Sequence, residues 1–265
     1  MEATKLFSEE RRDKIIEFLN NDGRVLAKDL ADMFDLSIDS IRRDLSIMEE
    51  KGLLKRTHGG AIPASKVRST PLPTSERYQE SAPHQDAISK LAASFIKEKD
   101  TVFIGGAGIH YGMLRFLPEI PLTILTNSMN IAESLKERKL IDTYLVGGKV
   151  KPSGNITDTL ANDFIRQFSI DICFMTGGGI SKNGISTSTP EVASFGRAVS
   201  EVSRRTICLA PHEKLGVDFF AKQCPITQID VLITDDQGSI DVIEEIESKG
   251  IKVLIASTIA TEIKE

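Results

Sequence analysis

The residues best suited to chemistry near the start of this chain are cations and hydroxyls gathered in two short stretches. Ser37, Ser40, Arg42 and Arg43 form the first, and Lys55, Arg56, His58, Gly59 and Gly60 the second. Paired guanidinium forks match phosphate oxygens and guanine edges, and small hydroxyls add short hydrogen bonds. Glycines beside cations let backbone approach a phosphate closely. An Arg-Arg pair alone is no more than a solvated helix face. The grouping of arginines, hydroxyls and a basic glycine turn within one continuous stretch points to a surface for double-stranded DNA.

A second set lies further along, where glycine or small polar residues follow short apolar runs: Gly106, Ala107 and Gly108; Thr126, Asn127 and Ser128; Gly147 and Gly148; Gly178 and Gly179. Glu191 and Lys214 add charge. Glycine loops that lead into helices can hold an anion on backbone N–H groups, and Gly108 leads directly into a helical stretch. Tight strand-to-helix turns use glycine anyway, so each loop is weak evidence and the four together carry the reading of a small-molecule site.

Other chemistries are poorly supplied. Cys173, Cys208 and Cys224 are odd in number and widely spaced, which argues against a disulfide framework and against a Cys-x-x-Cys zinc site. His58, His84, His110 and His212 show no ligand spacing along the chain. Neither a metal nor a cofactor is expected.

Elements to position the first set can be read from periodicity. Ser8 followed by Glu9 and Glu10 reads as a helix start, with Ile15, Phe18 and Leu19 on one face. A second helix is expected around Ala27 to Phe34, and Asp35-Leu36 makes the turn. Ser37 then caps a third helix to Lys51 in which Ile38, Ile41, Leu45 and Met48 form the buried stripe. Arg42 and Arg43 project from the opposite face, the layout of a recognition helix. Leu53 to Ile62 reads as two extended arms around a Gly59-Gly60 tip, a β-hairpin wing.

From His84 the pattern alternates between helices and short apolar strands. Strands are expected at Thr101 to Ile104, Leu122 to Thr126, Thr143 to Val146, Ile170 to Met175, Thr206 to Ala210, Val231 to Thr234 and Lys252 to Ala256. The fold class is therefore α/β: a small winged helix-turn-helix domain, then a mainly parallel, doubly wound, Rossmann-like domain. The expected division is 1–62 for DNA binding, 63–83 as a linker rich in proline, and 84–265 for effector sensing and oligomerisation.

At 265 residues with 40% hydrophobic and 27% charged residues, the composition is that of a globular protein. The net charge of -5 looks wrong for a DNA binder until it is divided. Residues 1–68 hold 13 basic and 13 acidic residues, leaving 20 and 25 for the rest, so the excess acid lies outside the DNA-binding segment. No apolar run suggests a membrane span or a leader peptide, and a cytoplasmic protein is expected.

The stretch Ser-Ile-Asp-Ser-Ile-Arg-Arg-Asp-Leu at 37–45, with Leu-Leu-Lys-Arg-Thr-His-Gly-Gly-Ala at 53–61, closely resembles the DeoR family of sugar-operon repressors. The later His-Glu-Lys-Leu-Gly at 212–216 and Ile-Thr-Asp at 233–235 extend the resemblance over nearly the whole chain. It implies a third helix in the major groove and a sensor domain related in fold to ribose-5-phosphate isomerase. By that resemblance the sensor binds a phosphorylated sugar through Thr126, Asn127, Ser128, Gly147, Gly148 and Lys214 and then releases DNA. A homo-oligomer, dimer or tetramer, is expected. The sequence departs from the family where Asp-x-Gly-Thr-Thr becomes Gly105 to Ile109, Asp-Gly becomes Gly178-Gly179, an aspartate becomes Pro211 and a helix lysine becomes Gly196. A changed effector, or a domain kept for oligomerisation, follows as the expectation. The competing readings are a sugar-phosphate isomerase using Glu191, Glu213 or Lys214, and a DNA-binding protein whose large domain only oligomerises.

Overall fold

The computed structural model describes residues 8–22, 24–51, 53–63 and 82–257. The chain divides into two compact units, the first made essentially of the N-terminal 67 residues. Most of the proline-rich stretch expected as a linker lies outside the described residues.

The first unit has three helices, α1 (Ser8–Asp22), α2 (Ala27–Phe34) and α3 (Ile38–Glu50), and three short strands, β1 (Val25–Leu26), β2 (Leu54–Arg56) and β3 (Gly60–Pro63). Apolar residues recurring at three and four place Ile15 and Leu19 of α1, Leu30 and Ala31 of α2, and Ile41, Leu45 and Met48 of α3 in one core. Each such fully buried Leu or Ile contributes about 1.5–3 kcal/mol. Asp35 closes α2 in the left-handed region at φ 52°, a conformation that Asp tolerates. Ser37 then opens α3, its Oγ accepting from the Ser40 N–H at 3.2 Å. β3 pairs antiparallel with both β1 and β2, so the wing is a three-stranded sheet rather than a lone hairpin.

The second unit runs α4 (Pro83–Ala93), β4 (Thr101–Ile104), α5 (Gly108–Met113), β5 (Leu122–Thr126), α6 (Met129–Leu135), β6 (Ile141–Leu145), α7 (Thr159–Ile165) and β7 (Ile172–Met175). It continues through β8 (Gly179–Ser181), β9 (Gly184–Thr187), α8 (Pro190–Glu201), β10 (Thr206–Leu209), β11 (Ala221–Pro225), β12 (Val231–Asp235), α9 (Ile240–Glu247) and β13 (Lys252–Ala256). Seven strands pair in the order β13-β12-β10-β7-β4-β5-β6, every pair parallel. Val102, Ile104, Ile124, Phe174, Ile207, Leu209 and Ile233 supply the core of this sheet. The order reverses between β4 and β7, so the loops after these two strands flank the switch point where open α/β sheets hold ligands. The expected strands are all present, with β6 two residues earlier and β7 shorter than the sequence suggests. A separate antiparallel sheet, β11-β9-β8, was not expected.

Candidate functional site

In α3 the sequence puts opposite chemistries on opposite faces. Ile41, Asp44, Leu45 and Met48 are buried, while Asp39, Ser40, Arg42 and Arg43 are exposed. Arg42 reaches Asp39 only at 3.4 Å, a loose exposed pair. Among the described residues no ion pair or hydrogen bond engages Arg43. Ser37 and Ser40 bond to each other through their hydroxyls at 2.8 Å, so Ser37 serves the helix start.

Other residues expected to meet DNA divide in two. Lys55, His58 and Gly59 are exposed, and Arg56 is exposed but donates to Ser46 Oγ at 2.6 Å, with its backbone N–H on Glu49 at 2.8 Å. These bonds stitch the wing strand to α3. Gly60 corrects the expectation of an open glycine tip: it is buried, and a Cβ there would overlap the Val25 carbonyl. Its missing side chain lets β3 lie against β1, and the tip is Thr57, His58 and Gly59.

The residue that fixes α3 carries no direct sign in its local sequence. Asp44 is buried and takes Arg11 at 2.6 Å and Arg12 at 2.8 Å, one on each carboxylate oxygen. Two guanidinium forks from α1 thus hold α3 by charge-assisted bonds.

In the second unit several of the expected effector residues engage in polar contacts with one another or with neighbouring loops. Asn127 is buried, and its Oδ1 accepts from the Gly106 N–H at 3.2 Å while its Nδ2 donates to the Ile156 carbonyl at 2.9 Å. Thr126 Oγ1 accepts the Ser128 N–H at 3.1 Å. Asn155 donates to the Gly106 carbonyl at 2.9 Å. Glu191, at the start of α8, accepts from Lys151 at 2.8 Å and from Thr157 at 2.9 Å, and the Lys151 bond first of all holds its carboxyl below the ordinary value. Lys214 reaches Thr176 Oγ1 at 3.3 Å, just past the end of β7. Ser128 Oγ and Asn155 Oδ1 are buried and make no hydrogen bond. Lys151, Asn155 and Thr157 were not expected from sequence, because they lie in a loop without periodicity.

The first glycine loop departs from an anion cradle. The Gly106 N–H is engaged by Asn127 and the Ala107 N–H by the Gly105 carbonyl at 3.0 Å, so two of its donors are already satisfied. The three thiols are buried, and burial pushes Cys173 up to about 11 and raises Cys208 and Cys224 as well. They remain protonated and unreactive at neutral pH.

Residues 11–67 match the DeoR-like helix-turn-helix domain and residues 80–236 the DeoR C-terminal sensor domain. The chain belongs to the DeoR family. It is 32% identical over 246 residues to the transcriptional repressor AccR of Agrobacterium fabrum, covering 91% of this chain and 95% of that one. It is 26% identical over 243 residues to the lactose phosphotransferase system repressor of Staphylococcus aureus, covering 89% and 96%. Ribose 5-phosphate isomerase A of Methanocaldococcus jannaschii overlaps 49% of this chain and 52% of its own at 11% identity and a TM-score of 0.37. Like its DeoR-family relatives, this chain is a DNA-binding transcriptional regulator. Glu191, a base in the isomerase reading, is instead a charged partner of Lys151.

Two positions where this DeoR-family chain lacks the family's polar groups, Gly178 and Gly196, are not left open, whereas Gly105, in place of the family's aspartate, has neighbours no nearer than 3.4 Å. A Cβ at Gly106 would overlap the Asn155 amide, one at Gly178 would press on the Phe219 ring, and one at Gly196 would overlap the Gln223 amide. Gly179 is buried against Val217, and a Cβ at Gly148 would overlap Asp158. Gly147 also has room, its nearest neighbour being Phe164 at 3.9 Å. At Gly178 and Gly196, Phe219 and Gln223 have taken the vacated space.

Histidines that look scattered in sequence are partly gathered by the fold. His84, in the first turn of α4, lies 5.0 Å ring to ring from His212, in the turn after β10. His212 Nδ1 is 2.9 Å from Asp235 Oδ1 and 3.5 Å from Glu213 Oε2, and His84 Nε2 is 3.6 Å from Glu213 Oε2. Asp235 is wholly buried at the end of β12. Burial raises its carboxyl, but donors from His212 and the Gln237 N–H outweigh that and hold it below its ordinary value.

Proposed function

We propose that this regulator represses a carbohydrate-utilisation operon, binding operator DNA as a cytoplasmic homo-oligomer, dimer or tetramer, and releasing it when a small hydroxylated metabolite binds the sensor. The division of labour is 1–62 for DNA, 63–83 as connection and 84–265 for sensing and assembly. The carrying observation is α3, whose buried stripe and Asp44 anchor leave Arg42, Arg43 and Ser40 on the free face. Arg43 and Arg42 read base edges, Ser40 supports them, and Lys55, Arg56, His58 and Gly59 follow the phosphates. The name of the lactose repressor supports a carbohydrate operon.

The effector site in this reading is the network of Thr126, Asn127, Ser128, Lys151, Asn155 and Glu191, with Lys214 at the switch point. Donors and acceptors alternate there, which suits hydroxyl groups, and the filled glycine positions distinguish it from a plain sugar-phosphate site. Fluorescence anisotropy with duplexes from the promoter of its own gene tests both parts. Arg43→Ala is expected to weaken specific binding by about 1–3 kcal/mol; unchanged affinity in both Arg42→Ala and Arg43→Ala would place the contact elsewhere. Release of the DNA by neutral sugars or polyols supports the effector reading. Release at micromolar concentration by an ordinary hexose or pentose phosphate would sink it.

A further inference from the structure

The four side chains His84, His212, Glu213 and Asp235 come from three separate elements, and one ligand atom from each lies within 4.8 Å of all the others. For a tetrahedral zinc ion with bonds of about 2.0–2.1 Å, neighbouring ligand atoms stand roughly 3.3 Å apart. The separations of 2.9, 3.5 and 3.6 Å bracket that value. Two of the four atoms, His84 Nε2 and Glu213 Oε2, are buried and make no hydrogen bond. Such atoms normally have a partner, and here they face each other across the space an ion would take.

We propose that His84, His212, Glu213 and Asp235 bind one divalent transition-metal ion, zinc before others, in the sensor domain of this regulator. Two neutral imidazoles and two carboxylates balance the double positive charge and suit an ion of borderline softness. An outer shell is already built. Asp235 Oδ2 accepts the His212 N–H at 2.9 Å, Asp235 Oδ1 accepts the Gln237 N–H at 3.0 Å, and Gln85 reaches Glu213 Oε1 at 3.4 Å. These bonds fix the ligands' orientation before the ion arrives. The site lies near the surface, since the His84 and His212 side chains keep 17% and 14% of their exposure and Glu213 keeps 36%. A hydrogen-bonded acid and histidine cluster with no ion is the competing arrangement.

The test uses the full chain, stripped with a chelator, dialysed against Zn²⁺ and then against metal-free buffer, with bound metal measured by mass spectrometry. Wild type is expected to retain one zinc per chain, and Co²⁺ in its place is expected to give the intense visible absorption of a four-coordinate site. His84→Phe keeps a ring against His212 and breaks no hydrogen bond of Nε2; Glu213→Gln keeps the shape. Each is expected to weaken metal binding by more than the roughly 10–100-fold that loss of an outer-shell partner costs. Circular dichroism of the metal-free variants separates this from misfolding. Wild type retaining no more metal than the folded variants would overturn the proposal and leave the cluster as hydrogen bonds.

Discussion

Asp44 shows how a residue with no outward chemistry governs one that has it. Both of its oxygens are engaged by arginines of α1, and it sits one position from Arg43 on α3. Replacing it by Asn leaves two guanidinium groups without their counter-charge. Because Arg11 and Arg12 keep some access to water, the expected loss is at the low end for a broken buried pair, about 3 kcal/mol. Thermal unfolding of Asp44→Asn checks the stability, and anisotropy checks whether DNA affinity falls with it. Loss of affinity without loss of stability would mean that Asp44 meets the DNA side of the helix instead. The sequence displayed Asp44 only as an acid beside Arg-Arg. Its partners stand more than thirty residues earlier, in a helix whose arginines look solvent-facing.

At the scale of elements the sequence was most legible where a period ran long enough. All seven parallel strands and the three helices of the first unit follow from apolar spacing. The β11-β9-β8 sheet does not, because two of its strands start at glycine and β11, Ala-Lys-Gln-Cys-Pro, holds no apolar run. The polar network around Asn127 was hidden too, since Asn155 and Lys151 belong to a loop placed by tertiary pairing of Asn155 with Ser128. The resemblance located the lost polar groups, but only packing reveals what replaced them. If Asn155 fills the space of a missing side chain at Gly106, the two positions are coupled. Gly106→Ala is expected to cost about 1–3 kcal/mol, as overpacking does. In the Asn155→Ala background the same change is expected to cost less by at least 0.5 kcal/mol, a coupling typical of residues in contact. Additive costs in urea unfolding would show that the loop adapts without Asn155.

Across the whole molecule, charge and burial set how conditions act. The segment 1–68 is electrically balanced and the remainder carries the excess acid, so attraction to DNA is local to the DNA-binding unit and salt-dependent. Lys55→Ala is therefore expected to weaken binding on specific and non-specific duplexes alike and to flatten the salt slope by about 1 if Lys55 meets a phosphate. The fold itself responds to acid through His110. Burial is the main reason its pKa drops from 6.5 to about 4; the bond with the Gly105 carbonyl opposes that drop, and the charge of Lys214 adds to it. A histidine held neutral in the folded state contributes its stability above its unfolded pKa of 6.5, and that contribution is lost as pH falls from there toward 4. At 1.36 kcal/mol per unit, the full loss is roughly 3 kcal/mol. Gln at position 110 can still donate to the Gly105 carbonyl but does not titrate. Denaturant unfolding of both chains between pH 7 and pH 4 is therefore expected to give a steeper fall for wild type than for His110→Gln. The gap should open below pH 6.5 and be nearly complete at pH 4. Parallel curves would assign the acid sensitivity of the sensor sheet to its carboxylates instead.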